Sequence, residues 1–285
     1  MRLHRLAASA TSILIAVGIG GCAAGDEAKQ QDPAAVIWAV GDGADGGDAA
    51  RDVAERISAE PFDRFLYLGD VYDDGTREEF ERNYDTVYGD LSQRTASTPG
   101  NHDWENRDEG YDPYWAEVHG KPIEPWYAFE MGGWEVLSLN SEEPVELGSP
   151  QHDWLEDRLT EPNDCRIAFF HSPRFSASEE HHGDDSEMEA LWEALKGHAT
   201  IVIGGHDHDM QRFKPVDGMT QFVSGAGGHY LYELADDPRL AFGNDSDYGA
   251  LRLELRPGVA THSFVTADGE ELDRGSLRCQ RPGAE

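Results

Sequence analysis

The sequence predicts an α/β protein in which strands and helices alternate over the first 219 residues. Short apolar runs alternate there with segments whose apolar residues recur at helical spacing. After residue 219 the helical signals stop and only strand-like segments follow. This pattern predicts one α/β body closed by a run of antiparallel strands, and no change in composition marks a second domain.

The apolar runs predict the strands. The segment AVIWAV (35–40) is apolar throughout, as in a strand that is buried on both faces. Residues 126–140 predict a hairpin that turns at Gly132 and Gly133. The other predicted strands are 64–70, 95–103, 166–171 and 199–206, followed by the closing segments 219–228, 249–257 and 259–269.

Four segments carry the helical pattern. In residues 48–60 the apolar side chains share one face, because Ala50, Val53, Ala54 and Ile57 lie three or four positions apart. The other predicted helices are 77–91, 150–159 and 186–198.

The charge balance excludes one class of partner. The chain has 56 acidic and 23 basic residues, a net charge of -33, and its 39% hydrophobic content is enough for a packed core. Such a surface repels the phosphate backbone of nucleic acids and anionic lipids, so electrostatic binding to either is not expected. A small phosphate-bearing substrate would need local positive charge, which a metal site supplies.

The N-terminus predicts export. Residues 1–21 have a basic start followed by an apolar run at 12–21, which is too short to span a bilayer. The pattern IGGC resembles a bacterial lipobox, which implies cleavage before Cys22 and acylation of its thiol. Residues 22–34 then form a polar tether, and the membrane is reached only through the lipid. Ordinary signal cleavage nearby is the alternative and predicts a secreted or periplasmic protein.

The cysteine count is consistent with export. If Cys22 is lipidated, two cysteines remain, Cys165 and Cys279. An even number of cysteines in an oxidising compartment predicts a disulfide between them.

Polar residues recur just after the apolar runs, where strands end. They are Asp42, Asp70, Asn101 with His102, His171, and His206 with His208. The carboxyl ends of strands in open α/β sheets are where ligands bind, so these side chains are expected to converge. A set of nitrogen and oxygen donors without thiolate favours Fe, Mn, Zn or Ni. Without His102 these are six donors, which predict two ions that share a carboxylate, and we expect strand alternation to send His206 and His208 to different ions.

Five short blocks carry a resemblance to a known family. They are GDG (41–43), GDVY (69–72), GNHD (100–103), FFH (169–171) and GGHDH (204–208). In this order they resemble the signature blocks of the calcineurin-like metallophosphoesterase superfamily. The resemblance covers roughly residues 36–265, within a domain expected at 35–285, and implies a four-layer αββα sandwich of two mixed β-sheets flanked by helices. Ala44, at a position where many relatives have histidine, is typical of the purple-acid-phosphatase-like branch.

The resemblance implies a role for each matched residue. Asp42 and His208 would bind the first metal, and Asp70 would bridge to the second. The second ion would be completed by Asn101, His171 and His206. His102 would contact the phosphate and protonate the leaving oxygen.

The sequence leaves undecided whether Tyr72 is a metal ligand. Purple acid phosphatases have a tyrosine three residues after the bridging aspartate, whereas Tyr72 follows Asp70 by two. In an extended chain a shift of one residue turns the side chain to the opposite face. Without a phenolate ligand the first site need not hold ferric iron.

The implied function is hydrolysis of phosphate esters, mainly monoesters, by a monomeric enzyme with two divalent or trivalent metal ions. A phosphodiesterase or nucleotidase would use the same metal centre. The alternative from another functional class is a surface lipoprotein that binds a ligand and catalyses no reaction.

Other readings stay open for single residues. Asp42, Asp70 and Asn101 are each typical of helix caps and turns, and His171 of a buried, hydrogen-bonded imidazole. Arg174 and His182 are candidate substrate contacts, although a solvent-exposed position is the favoured interpretation for both. His229 follows glycines that allow a close backbone approach to the site, and its role is undecided from sequence.

Overall fold

A computed structural model describes residues 34–163, 165–179 and 184–279, all within the compact unit Pro33–Glu285. Two mixed β-sheets pack face to face, and helices cover their outer faces. This is the predicted αββα sandwich. The predicted signal peptide, the tether with Cys22, and His182 lie outside the described residues.

The described residues form thirteen strands and seven α-helices. The strands are Ala35–Val40 (β1), Arg64–Tyr67 (β2), Thr95–Ser97 (β3), Tyr127–Met131 (β4), Trp134–Ser138 (β5), Arg166–Phe169 (β6), Ile201–Gly204 (β7), Met210–Phe213 (β8), Thr220–Ser224 (β9), Leu240–Asn244 (β10), Gly249–Arg256 (β11), Val259–Thr266 (β12) and Glu271–Arg278 (β13). The α-helices are Asp48–Ser58 (α1), Arg77–Glu79 (α2), Asp85–Tyr88 (α3), Asn101–Trp104 (α4), Tyr111–His119 (α5), Pro150–Leu159 (α6) and Glu189–Leu195 (α7).

The first sheet is parallel on the side that ends in β3 and antiparallel elsewhere, and the second has a parallel centre with antiparallel edges. The first sheet runs β13-β12-β11-β1-β2-β3, and β1, β2 and β3 are parallel. The second runs β10-β8-β9-β7-β6-β5-β4, with β5, β6, β7 and β9 parallel. The closing segments are therefore divided between the sheets. Strand β9 lies inside the second sheet, parallel to β7, and does not belong to the predicted antiparallel run.

The alternation of side chains along β1 shows how the layers are built. Ile37 and Ala39 lie in the core between the two sheets, whereas Trp38 and Val40 pack toward Val53 on α1. All four side chains are fully buried. A strand with helices on one side and a second sheet on the other has no polar face, as its sequence predicts.

The segment predicted as one helix at 77–91 is interrupted. Arg77–Glu79 is capped by Thr76, a π-helical turn follows at Phe80–Tyr84, and a 3₁₀ turn closes it at Gly89–Arg94. The π turn brings Asn83 against the chain at Tyr72, where its amide donates to the Tyr72 carbonyl at 2.5 Å. A tertiary contact thus overrides the regular helical pattern.

One disulfide links the two sheets. Cys165 immediately precedes β6 of the second sheet, and Cys279 immediately follows β13 of the first. The structure joins them, with the Cα atoms 4.9 Å apart. Within the described residues, no helix is both long and apolar enough to cross a membrane.

We expect the double variant Cys165→Ser/Cys279→Ser to unfold more easily. The two cysteines are 114 positions apart, so the bond closes a long loop in the unfolded chain. Losing it should lower the free energy of unfolding by about 4 to 5 kcal/mol in denaturant titrations. Ser276→Ala, at an exposed position of β13, is the control and should change it by less than about 0.5 kcal/mol. Two titratable thiols at these positions in the unreduced, denatured protein would contradict the prediction.

Candidate metal centre

The six predicted ligands meet at one end of the sandwich, where strands β1, β2, β3, β6 and β7 have their carboxyl ends. Asp42 Oδ1 lies 3.6 Å from His208 Nε2, and Asp70 Oδ2 lies 3.5 Å from His171 Nε2. Both carboxylates are buried. Side chains far apart in the sequence therefore form one cluster, at the ends of the strands where ligands bind in α/β sheets.

One side of the cluster is formed by Asp70, Asn101, His171 and His206. His171 Nε2 lies 3.0 Å from His206 Nδ1 and 3.1 Å from Asn101 Oδ1. The ligand atoms of Asp70, His171 and His206 all lie within 4.8 Å of one another. His171 Nδ1 donates to the Leu68 carbonyl at 2.7 Å. Because a carbonyl only accepts, Nε2 presents its lone pair to the cluster.

The other side is formed by Asp42, His208 and Tyr72. His208 Nδ1 donates to the Tyr230 carbonyl at 2.8 Å, which again leaves Nε2 as the free nitrogen. The Tyr72 hydroxyl lies 2.9 Å from that Nε2, 3.2 Å from Asp42 Oδ1 and 3.3 Å from Asp70 Oδ2. The hydroxyl therefore stands between both carboxylates and the imidazole.

Tyr72 reaches the cluster although the sequence argument pointed its ring away. That argument assumed an extended chain after Asp70. In the structure only Val71 makes a strand-like bridge, to Ala44, and residues 72–74 form a turn. Side-chain alternation does not hold in a turn, so the one-residue shift does not remove the phenol from the site.

His206 and His208 do face the two different sides, but strand alternation is not the reason, because residues two positions apart in a strand point to the same face. Strand β7 ends at Gly204, and residues 206–209 are bends. His206 has a φ of 69°, in the left-handed region that non-glycine residues rarely adopt. The backbone reversal at His206 separates the two imidazoles.

The same left-handed conformation recurs at the two aspartates. Asp42 has a φ of 60° and Asp70 a φ of 69°. Backbone strain of this kind persists where surrounding contacts hold it, and it concentrates at functional sites. Asp42 Oδ2 accepts the His206 N–H at 2.8 Å, and Asp70 Oδ1 accepts the His102 N–H at 3.0 Å. Gly100 is required beside them, because a Cβ there would lie 2.1 Å from Asp70 Oδ1.

The electrostatics of the cluster call for positive charge. Burial and the neighbouring Asp70 carboxylate raise the pKa of Asp42 well above its ordinary value. Burial lowers the pKa of His208 to about 3, so its imidazole is neutral at pH 7. In the described part of the chain, the ion-pair partners of Asp42 and Asp70 are histidines only. Buried carboxylates beside inward-facing imidazole nitrogens are a donor set that fits Fe, Mn, Zn or Ni ions.

His102 stands beside the cluster rather than within it. Its side chain is 39% exposed, and its Nε2 lies 4.0 Å from Asp70 Oδ2. Nδ1 donates to the Asp73 carbonyl at 2.5 Å, which leaves Nε2 directed toward the site. This arrangement suits a group that exchanges a proton with a bound molecule.

Sequence reasoning missed residues that support the cluster. Asp103 accepts the N–H groups of Gly100, Asp70 and Val71, and burial with the Asp70 charge raises its pKa to about 8. Its place within the GNHD block was the available signal.

His229, undecided from sequence, lies in the site. Its ring stacks on Tyr72 with the centroids 4.0 Å apart, and its backbone N–H donates to the Asp42 carbonyl at 2.9 Å. Arg174, a candidate substrate contact, is instead held by Glu189 and lies over the Phe175 ring.

Comparison with known proteins agrees with this geometry. A family model described as calcineurin-like phosphoesterase matches residues 35–210, more than half of the chain. Purple acid phosphatase 21 and probable purple acid phosphatase 20 of Arabidopsis thaliana are 27% identical over 184 residues and 30% identical over 193 residues. These alignments cover 57% and 59% of this chain but 41% and 44% of the relatives. The chain thus spans less than half the length of the curated relatives it matches.

A solved structure shares the fold at low sequence identity. Purple acid phosphatase PPD1 from yellow lupin (Lupinus luteus) superposes with a TM-score of 0.73 at 17% identity, covering 87% of this chain and 54% of that one. With the five sequence blocks gathered at one edge of the sandwich, the family match shows that the chain belongs to the calcineurin-like phosphoesterase family, in the purple-acid-phosphatase-like branch, as its motifs predicted.

Proposed function

We propose that the protein hydrolyses phosphate esters, mainly monoesters, at a centre of two metal ions. One observation carries the proposal. The carboxylates of Asp42 and Asp70 both lie within 3.3 Å of the Tyr72 hydroxyl, with His208 on one side. His171 and His206 lie on the other side, next to Asp70. Two sets of donors that share a central carboxylate suit a pair of ions better than one.

The donors divide between the two ions by their contacts. Asp42 and His208 would hold the first ion with Tyr72 as a further candidate, and Asp70 would bridge. The second ion would be held by Asn101, His171 and His206. Two such cations, when bound, lower the pKa of a coordinated water and neutralise phosphate oxygens.

The residues around the ions would position the substrate and move the proton. His102 is accessible to solvent and presents Nε2 to the site, so it would protonate the leaving oxygen of the ester. The Asp73 carbonyl fixes its tautomer and ring orientation. His229 packs on Tyr72 and holds that ring against the carboxylates.

The location and partners that we propose rest on the sequence. Residues 1–21 would direct export, and acylation of Cys22 would anchor the protein at the cell surface. A monomer acting on small phosphate esters fits an enzyme whose surface repels nucleic acids. The mass of the mature N-terminal peptide tests the anchor, since an unmodified Cys22 thiol would rule it out.

A substrate panel tests the function. After reconstitution with Mn, Fe, Zn and Ni in turn, we expect p-nitrophenyl phosphate to be hydrolysed faster than bis(p-nitrophenyl) phosphate. Faster hydrolysis of the diester would assign the site to a phosphodiesterase. Hydrolysis of neither substrate with any of these metals would leave a binding protein as the function.

Metal content should follow the two donor sets. The protein purified without chelators should hold two metal ions per chain, and chelation should abolish hydrolysis. His208→Ala and His171→Ala should each lose about one ion per chain, because each removes a nitrogen ligand from one side only. Elemental analysis checks this, with His198→Ala, an exposed histidine after α7, as the control. Unchanged metal content in both ligand variants would refute the assignment.

His102→Gln should slow turnover without loss of metal. We expect kcat to fall about a hundredfold, because proton transfer to the leaving oxygen contributes on this scale. The fall should be smaller for p-nitrophenyl phosphate, whose leaving group needs little protonation, than for an alkyl phosphate. If His102→Gln loses both ions, His102 acts as a ligand and the proposed role is wrong.

A further inference from the structure

A cavity lies away from the metal centre. It has a volume of about 340 Å³ and opens between β3 and β4, the edge strands of the two sheets, under the loop that follows α5. Arg64, at the first position of β2, lines it, whereas Asp70 follows the other end of that strand. The cavity therefore lies toward the amino ends of the strands.

Three basic side chains line this cavity, Arg64, His119 and Lys121. The chain has 56 acidic and 23 basic residues, and most of its described arginines are paired with carboxylates. None of the ion pairs between described residues includes any of these three. Where acidic groups outnumber basic ones so strongly, unpaired basic groups that share a cavity are unexpected.

Arg64 is the clearest case. Its Nε is buried from solvent and, in the described part of the chain, has no hydrogen-bond partner. Its guanidinium lies over the Phe129 ring, 5.2 Å from the centroid. Stacking occupies the face of a guanidinium and leaves its N–H groups at the edge free to bind an anion. The buried Nε is closed to solvent, so the outer N–H groups of the half-buried Arg64 side chain are the ones that an anion in the cavity would reach.

The charge of the cavity limits what it binds. Burial and the positive charges of Arg64 and Lys121 lower the pKa of His119, so this ring is largely neutral at pH 7. The exposed side chain of Glu124 adds one negative charge at the rim. Two cations and one carboxylate leave one positive charge, which suits an anion with a single charge.

The remaining walls are largely apolar. Ile123, Tyr127 and Phe129 line the cavity, and the hydroxyl of Tyr127 is already used in a hydrogen bond to the Ser97 carbonyl. Cavities that hold small ligands combine apolar walls with a few convergent polar groups, at volumes of roughly 300 Å³ and above.

We propose that this cavity binds a small aromatic monocarboxylate. Its carboxylate would lie on Arg64 and Lys121, and its apolar ring against Ile123 and Tyr127. The site is separate from the metal centre and does not depend on the proposed hydrolysis. Charge and shape act together in the cavity: the carboxylate accepts from the outer N–H groups of Arg64 and from Lys121, and the ring fills the apolar part.

Calorimetric titration of the metal-loaded protein with 2-naphthoate tests the proposal. We expect binding of 2-naphthoate and much weaker binding of the neutral 2-naphthylmethanol. Arg64→Gln should weaken binding of 2-naphthoate at least about tenfold. Arg51→Gln is the matched control, because Arg51 is an exposed arginine paired with Asp48 on α1, and it should bind like the unaltered protein.

Two further variants keep the test decisive. Lys121→Gln changes an exposed side chain, so it should fold normally and still weaken binding. His208→Ala, altered in the metal centre, should bind 2-naphthoate unchanged. The proposal would be overturned if the acid did not bind, or if the acid and the alcohol bound equally. It would also be overturned if both Arg64→Gln and Lys121→Gln bound 2-naphthoate fully, or if His208→Ala lost binding.

Discussion

The repulsion between two buried carboxylates is the constraint on which the rest of the site depends. Asp42 and Asp70 are almost fully buried and lie close enough to raise the pKa of Asp42. A buried negative charge is costly unless it is paired or hydrogen-bonded. Backbone N–H groups and histidines with their free nitrogens turned inward surround the pair. The site is thus organised around positive charge placed between them.

The two sheets provide the rigid base for this arrangement, and the loops provide the geometry. Asp42, Asp70 and His206 adopt left-handed backbone conformations just after strands that are buried on both sides. Such conformations are maintained by the packing around them, here by the close approach of Gly100 to Asp70. The outer contacts of His171 and His208 are main-chain carbonyls, so the fold itself fixes which nitrogen faces the cluster.

The overall charge of -33 makes the distribution of positive charge informative. At the carboxyl ends of the strands, buried carboxylates and imidazoles form a donor set that suits metal cations. Toward the amino ends, unpaired Arg64 and Lys121 line a separate cavity. In a chain that repels anions at long range, both places would offer an anion a short-range attraction. The two sites would therefore select small anions that can enter, and exclude polyanions.

The sequence by itself determined the order of most elements and the identity of the clustered side chains, because hydrophobic periodicity and short motifs are local signals. It missed β8, β10 and β13, since β8 is only four residues long and an exposed edge strand such as ELDRGSLR has no continuous apolar run. Only the tertiary structure decided the direction of Tyr72 and the place of His229. The first depends on a turn held by Asn83, and the second on packing between segments distant in the chain. Contacts of that kind leave no periodic trace in the sequence.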